Sequence, residues 1–215
     1  MTAFVGSSGA GKTTLAMLIA RFWDVNSGKI SIGGRDVRDY TLESLMSQIS
    51  VVFQNVYLFA DTIENNIKFG MSDADHDQVV AAAQKACCHD FIMSLPDGYS
   101  TVIGEGGATL SGGEKQRISI ARAILKDAPI IILDEAMANV DPENEDKLTA
   151  AFDALTENKT VIMIAHRLKT IRNADKIVVL DGGSLCSGTH DELLRTSSRY
   201  STFIRLREEA ANWKM

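Results

Sequence analysis

Two groups of residues in this sequence have the types and spacing for phosphate chemistry. The stretch Gly6-Ser-Ser-Gly-Ala-Gly11-Lys12-Thr13 fits the spacing G-x-x-x-x-G-K-S/T. Glycines 6, 9 and 11 let the backbone curl until successive N–H groups point inward at phosphate oxygens. A helix beginning near Lys12 aims its positive end at the same place. Lys12 would reach the β- and γ-phosphates, and the Thr13 hydroxyl would hold Mg²⁺. The whole run Gly6, Ser7, Ser8, Gly9, Ala10, Gly11, Lys12, Thr13 and Thr14 is therefore assigned to nucleotide binding.

The second group follows Ile130-Ile-Ile-Leu133, a uniformly apolar stretch that ends at once in Asp134-Glu135. A strand buried on both faces would deliver both acids to the carboxyl edge of a sheet, where ligands bind in open α/β folds. Asp134 would anchor Mg²⁺, directly or through water, and Glu135 would orient and deprotonate an attacking water. Taken without the phosphate loop, the two acids read equally well as solvated residues at a strand end.

A further helix start lies at Leu110-Ser-Gly-Gly-Glu-Lys-Gln-Arg117. Ser111 is a natural N-cap, and Gly112-Gly113 exposes backbone N–H groups. Spacing alone favours a well-capped helix. The chain then has two phosphate-suited helix starts and one phosphate-gripping lysine, which a two-fold dimer would reconcile if each chain completed the other's site.

The elements that must position these residues follow from periodicity. Thr2–Val5 reads as a buried strand and Lys12–Phe22 as the helix it feeds, with Leu15, Leu18, Ile19 and Phe22 at helical spacing. A small strand is expected within Gly28–Gly34, a helix capped by Thr41 over Thr41–Ser47, and a strand at Ile49–Phe53. From about Asp61 to Ala108 the pattern is helical, with a turn at Pro96-Asp97-Gly98, and strand signals are absent until Ile130. Strands and helices then alternate: Ile130–Leu133, Pro142–Leu155, Val161–Ala165, Leu168–Arg172 and Lys176–Leu180. Asp181-Gly-Gly183 turns into a short strand at Ser184–Ser187, and helices follow around Asp191–Arg195 and Thr202–Ala211. The alternation implies an α/β fold with a mostly parallel sheet and an inserted helical subdomain, and the phosphate loop after its first strand is the mark of a P-loop NTPase. The expected division is residues 1–60 and 109–215 for the ATP-binding core and 61–108 for the helical subdomain. That subdomain continues into the following helix to about residue 126.

Composition narrows the class. The chain has 215 residues, 45% of them hydrophobic, enough for one large domain or a core with an insert. A formal charge of -6 argues against a nucleic-acid partner. The apolar runs are strand-length, far short of the roughly 18 residues that a membrane-crossing helix needs. The first residues lead straight into the phosphate loop with no signal-peptide pattern. The three cysteines make no disulfide framework, and adjacent Cys87 and Cys88 read as packed thiols of a reducing compartment.

In their order along the chain, the phosphate loop, Leu110-Ser-Gly-Gly-Glu114, Ile131-Ile-Leu-Asp-Glu135 and Ile164-Ala-His166 resemble the ATPase domain of ATP-binding cassette (ABC) transporters. The resemblance runs through essentially the whole chain, and the LSGGE element is highly specific. It implies a head-to-tail dimer with two ATPs sandwiched between phosphate loop and signature. Ser111, Gly112 and Gly113 would then contact the γ-phosphate held by the partner chain. By the same likeness Gln54 is the glutamine that senses Mg²⁺ and the membrane domain. His166 resembles the switch histidine that grips the γ-phosphate and supports Glu135, and Asp141 matches the aspartate coupling the two sites. The implied cofactors are ATP and Mg²⁺, the metal being held by Thr13, Gln54 and Asp134.

Asp61-Thr-Ile-Glu-Asn-Asn-Ile67, Gly104-Glu-Gly-Gly107 and Gly188-Thr-His-Asp-Glu-Leu193 resemble exporter-type domains. The implied partner is a transmembrane domain fused upstream, with this chain at the cytoplasmic face of the inner membrane and soluble on its own. The exported substrate would be a lipid, drug, peptide or siderophore. Two departures stand out. Met137 replaces the family's usual Thr, and the strands expected upstream, with their adenine-stacking aromatic, are not in this sequence. Met1 stands where the family has an ordinary strand residue, so the chain is expected to be the tail of a fused exporter. Losing that stacking is expected to weaken ATP binding by roughly ten- to hundredfold. The alternatives are a truncated domain with weak nucleotide binding and little ATPase activity alone, and a non-transport ABC ATPase. The last would need long coiled-coil or zinc insertions before Ser111, and neither is present.

Overall fold

In a computed structural model the described residues are 1–107, 109–134, 142–165, 167–181 and 183–212. The chain begins with β1 (Thr2–Val5), α1 (Lys12–Ile19), β2 (Ser31–Ile32), β3 (Arg35–Asp36), α2 (Leu42–Ser47) and β4 (Ile49–Val52). Helices α3 (Ile63–Lys68), α4 (His76–Lys85), α5 (His89–Met93) and α6 (Gly112–Lys126) follow. Then come β5 (Ile130–Asp134), α7 (Pro142–Thr156), β6 (Thr160–Ile164) and α8 (Leu168–Arg172). The chain closes with β7 (Lys176–Asp181), β8 (Ser184–Gly188), α9 (His190–Thr196) and α10 (Ser198–Asn212).

These elements fall into two compact units. The first comprises Met1–Leu45, Ile132–Glu135 and Val161–Met215, and the second Met46–Ile131 and Ala136–Thr160. Strand β5 runs through both.

In the first unit the strands lie in the order β5-β6-β1-β7-β8. Strand β1 is parallel to β6 (Ala3 opposite Met163) and to β7 (Ala3 opposite Ile177). The β7–β8 pair is antiparallel, with Asp181 opposite Ser184. The mostly parallel α/β sheet expected from the alternating pattern is present. Because β1 lies inside the sheet it reads as a continuous apolar run. Ala3, Val5, Ile177 and Val179 of β1 and β7 are buried beneath Ile171, Leu193, Tyr200 and Ile204 of α8, α9 and α10. Tyr200 is fully buried but keeps its hydroxyl satisfied, 2.7 Å from His190 Nδ1. Burial pushes that phenol up to about 12.

Helix α1 stops three residues short of the expected Phe22. Arg21 adopts φ 56, its N–H reaches Leu18 O, and the Phe22 N–H reaches Met17 O. These two bonds form a Schellman ending, in which an arginine occupies the left-handed position usually given to glycine. The Arg21 guanidinium is held by the carbonyls of Val37 and Tyr40, at 3.1 and 3.0 Å. That tether explains the early stop and leaves Phe22 52% exposed. The strand expected within Gly28–Gly34 shrinks to a hairpin of β2 and β3, with Ile32 opposite Arg35. Its turn is Gly33-Gly34, both at positive φ, as two-residue hairpins prefer.

In the second unit α6 is the central helix. It packs against α3, α4, α7 and β4, burying Ile118, Ile120, Ala121 and Leu125. Helix α4 starts at a reciprocal cap in which Asp75 and Gln78 satisfy each other's backbone N–H. Among the described residues between β4 and β5, the extended pairing is one isolated bridge, Thr62 with Val102. Cys88 is buried and Cys87 partly so, both free thiols, and burial pushes the Cys88 thiol up to about 12. The reading of packed thiols agrees with this for Cys88.

Candidate nucleotide site

The phosphate loop leaves the carboxyl end of β1, where strand order reverses between β6 on one side and β7 on the other. Ligands of open α/β sheets settle at such a point. The chain can turn there because Gly6 has no side chain. A Cβ at this position would lie 2.0 Å from Leu180 O on β7. Gly11 is the N-cap of α1 with φ 90, a conformation that glycine adopts without steric cost. Lys12 follows as the first residue of α1 and is only 6% exposed. Its ammonium donates to Gly6 O at 3.1 Å and Ser7 O at 2.9 Å, across the mouth of the loop. Ser8 and Gly9 complete the curl as a turn, and Ala10 N–H closes onto Ser7 O at 3.2 Å.

Asp134 ends β5 in the same unit. The Thr13 hydroxyl donates to Asp134 Oδ1 at 3.4 Å, and Thr14 is exposed on the next position of α1. The fold thus brings Gly6 to Thr13 and Asp134 together at one sheet edge. Thr13 and Asp134 offer two hard oxygen donors side by side, the donor type that Mg²⁺ takes. The donor set fits that ion.

The remaining candidates are in the second unit or outside the described residues. Gln54 is exposed, two residues past the end of β4. Ser111 caps α6: its Oγ accepts from Glu114 N–H at 3.3 Å, while Glu114 Oε2 accepts from Ser111 N–H at 2.8 Å. Gly112 and Gly113 form the first turn of α6, exposed and half-buried respectively. Glu135, Asp141 and His166, together with Met137, lie outside the described residues.

The sequence reading did not single out Glu114, although the S-x-x-E spacing that marks a reciprocal cap was visible. Nor did spacing mark the cluster around Asn66. Asn66 is buried, and its amide accepts from Phe59 N–H at 2.9 Å and donates to Phe59 O and Thr62 O at 3.0 Å each. Arg122 of α6 donates to Asn66 O at 2.8 Å and lies over the paired Phe59 and Phe69 rings, 5.8 and 5.3 Å from their centroids. Burial lowers the Arg122 pKa to about 10, which leaves the guanidinium charged at neutral pH. An arginine within an apolar helical stretch was the available signal.

The family description "ABC transporter" matches residues 1–138, more than half of the chain. The chain belongs to the ABC transporter family. Within it, the chain is 53% identical over 201 residues to an "ATP-dependent lipid A-core flippase" of Syntrophus aciditrophicus (strain SB), covering 93% of this chain and 33% of that protein. It is 50% identical over 199 residues to the "Putative multidrug export ATP-binding/permease protein YgaD" of Bacillus subtilis (strain 168), covering 92% and 34%. A solved structure, "Structure of a bacterial Atm1-family ABC exporter with ATP bound", aligns with a TM-score of 0.86 at 45% identity, covering 94% of this chain and 36% of that one. This ABC transporter chain spans about a third of the length of the curated relatives it matches. Among the described residues no helix is long and apolar enough to cross a membrane.

Proposed function

We propose that this chain is the ATP-binding and ATP-hydrolysing motor domain of an ABC exporter. The observation that carries the proposal is the loop at the end of β1. Lys12 spans its mouth, and Thr13 is paired with Asp134 at 3.4 Å. Backbone N–H groups from Gly6 to Gly11, with Lys12, bind the β- and γ-phosphates. Thr13, Asp134 and Gln54 would hold Mg²⁺, which when bound would neutralise charge on the phosphate oxygens. Glu135 orients the attacking water and takes its proton, for in-line attack on the γ-phosphorus that breaks its bond to the β–γ bridging oxygen and releases ADP and phosphate. His166 supports Glu135 and the γ-phosphate.

Ser111, Gly112 and Gly113 of a second ATPase domain complete the site in a head-to-tail dimer, and Asp141 couples the two sites. Residues 1–60 and 109–215 act as the ATP-binding core. Residues 61–108, continuing into α6, act as the helical subdomain that bears the signature. The mechanical partner is the transmembrane domain of an exporter, which holds this chain at the cytoplasmic face of the membrane. The names of the relatives support a lipid or a drug as the exported substrate.

The test is Glu135→Gln. It should permit ATP-dependent dimerisation, read by light scattering, while turnover is lost. Hydrolysis by that variant at the parent rate would remove Glu135 from the role of base.

A further inference from the structure

Helix α6 holds strand β4 at both of its ends. Lys126, the last residue of α6, donates to Ile49 O at 2.7 Å, on the first residue of β4. Ten residues earlier on the helix, Gln116 donates from Nε2 to Phe53 O at 3.5 Å, the long end of hydrogen-bonding distance. Phe53 is the residue after β4 and is peptide-bonded to Gln54. Ten helical residues advance ~15 Å, while the step from Ile49 to Phe53 along an extended chain covers ~13 Å. The lengths match, so one helix and one strand, running antiparallel, can be clamped at two points at once. Gln116 is 5% exposed; with so little water near it, its amide depends on protein partners.

We propose that Gln116 is a positioning residue that fixes the Phe53–Gln54 peptide to the helix beginning at Ser111. The signature turn and Gln54 then move as one body. The consequence rests on the motor reading above. There, Gln54 faces nucleotide held by its own chain, while Ser111 to Gly113 face nucleotide held by the partner. Occupancy of one composite site is then felt at the other through less than two turns of α6, and such coupling is reciprocal.

The full chain tests this with Gln116→Met, which keeps the length and loses the amide, beside Lys126→Met, which removes the clamp remote from Gln54. Without nucleotide, Gln116→Met should speed amide hydrogen exchange at residues 53–57 by about tenfold, and Lys126→Met should act at residues 48–50 instead. In ATP turnover, Gln116→Met should lose about tenfold in kcat with KM within about twofold, and Lys126→Met should change neither beyond that. Unchanged exchange at residues 53–57 overturns the proposal, and so does faster exchange with kcat intact. If the parent chain turns over no ATP, the motor reading fails, and the exchange arm alone decides whether Gln116 holds Phe53. Should Gln116→Met fail to fold, Gln116→Glu serves. It matches the length but sets an oxygen against the Phe53 carbonyl, and parent-like exchange in it overturns the proposal equally.

Discussion

The Thr13 hydroxyl and the Asp134 carboxylate, 121 residues apart in the chain, meet at 3.4 Å. A helix start and a strand end supply one oxygen donor each, so neither element alone makes the pair. Thr13→Ala is therefore expected to leave Mg²⁺-free ATP binding within about twofold. It should remove about tenfold of the affinity that Mg²⁺ adds, equivalent to about 1.4 kcal/mol. Titration of a fluorescent ATP analogue with and without Mg²⁺ checks this, and an equal Mg²⁺ gain in both proteins refutes it.

Gly6 and Gly9 occupy the same loop but should tolerate alanine very differently. A Cβ on Gly6 meets the backbone of Leu180 at 2.0 Å, and no side chain can move aside to make room. Gly9 has open space around it but φ 77. Gly6→Ala should cost about 3 kcal/mol through displacement of β1 from β7, and Gly9→Ala about 1–2 kcal/mol through left-handed backbone strain. Urea unfolding of the two variants measures the difference, and equal midpoints would contradict it.

Acid stability should depend on Glu64. The Lys68 ammonium hydrogen-bonded to its carboxylate, and His76 beside it, hold Glu64 below its usual 4.5. A carboxylate whose pKa falls on folding stabilises the native state above its unfolded pKa and loses that contribution as pH drops through the folded value. Between pH 7 and pH 3.5, Glu64→Gln should lose less of its urea midpoint than the parent. A parallel decline would rule Glu64 out as a contributor.

Ser50 lies in β4 with its hydroxyl buried and without a hydrogen-bond partner among the described residues. An unsatisfied buried hydroxyl costs about 1–3 kcal/mol, and its removal leaves only a small void. Ser50→Ala should be neutral or stabilising, by up to about 1 kcal/mol. A loss of that size in thermal unfolding would point to a partner for the hydroxyl.

What could be read from the sequence was what is local. Strand β1, the phosphate loop and α8 follow from residue order, because apolar runs, glycine spacing and helix periodicity each act within about ten residues. The end of α1 was not legible. Arginine is a rare choice for a left-handed helix stop, and its reason lies in the Val37 and Tyr40 carbonyls. The same holds for Asn66, Arg122 and Gln116. Each is a polar residue in an apolar setting, whose partners are set by folding rather than by spacing. For the candidate site, the sequence named Thr13 and Asp134 separately, and the sheet puts them in contact.

Ser111 carries a consequence for how anions are met. Its oxygen accepts from Glu114 N–H, so one lone pair is committed inward and the hydroxyl hydrogen is left to donate. The cap thereby gives the side chain a polarity. Aspartate in its place would cap the helix equally well yet offer only acceptors and a negative charge. Ser111→Asp should thus keep the stability of α6 while turning an attractive edge into a repulsive one. One atom holds the helix together and sets the sign of what can approach it.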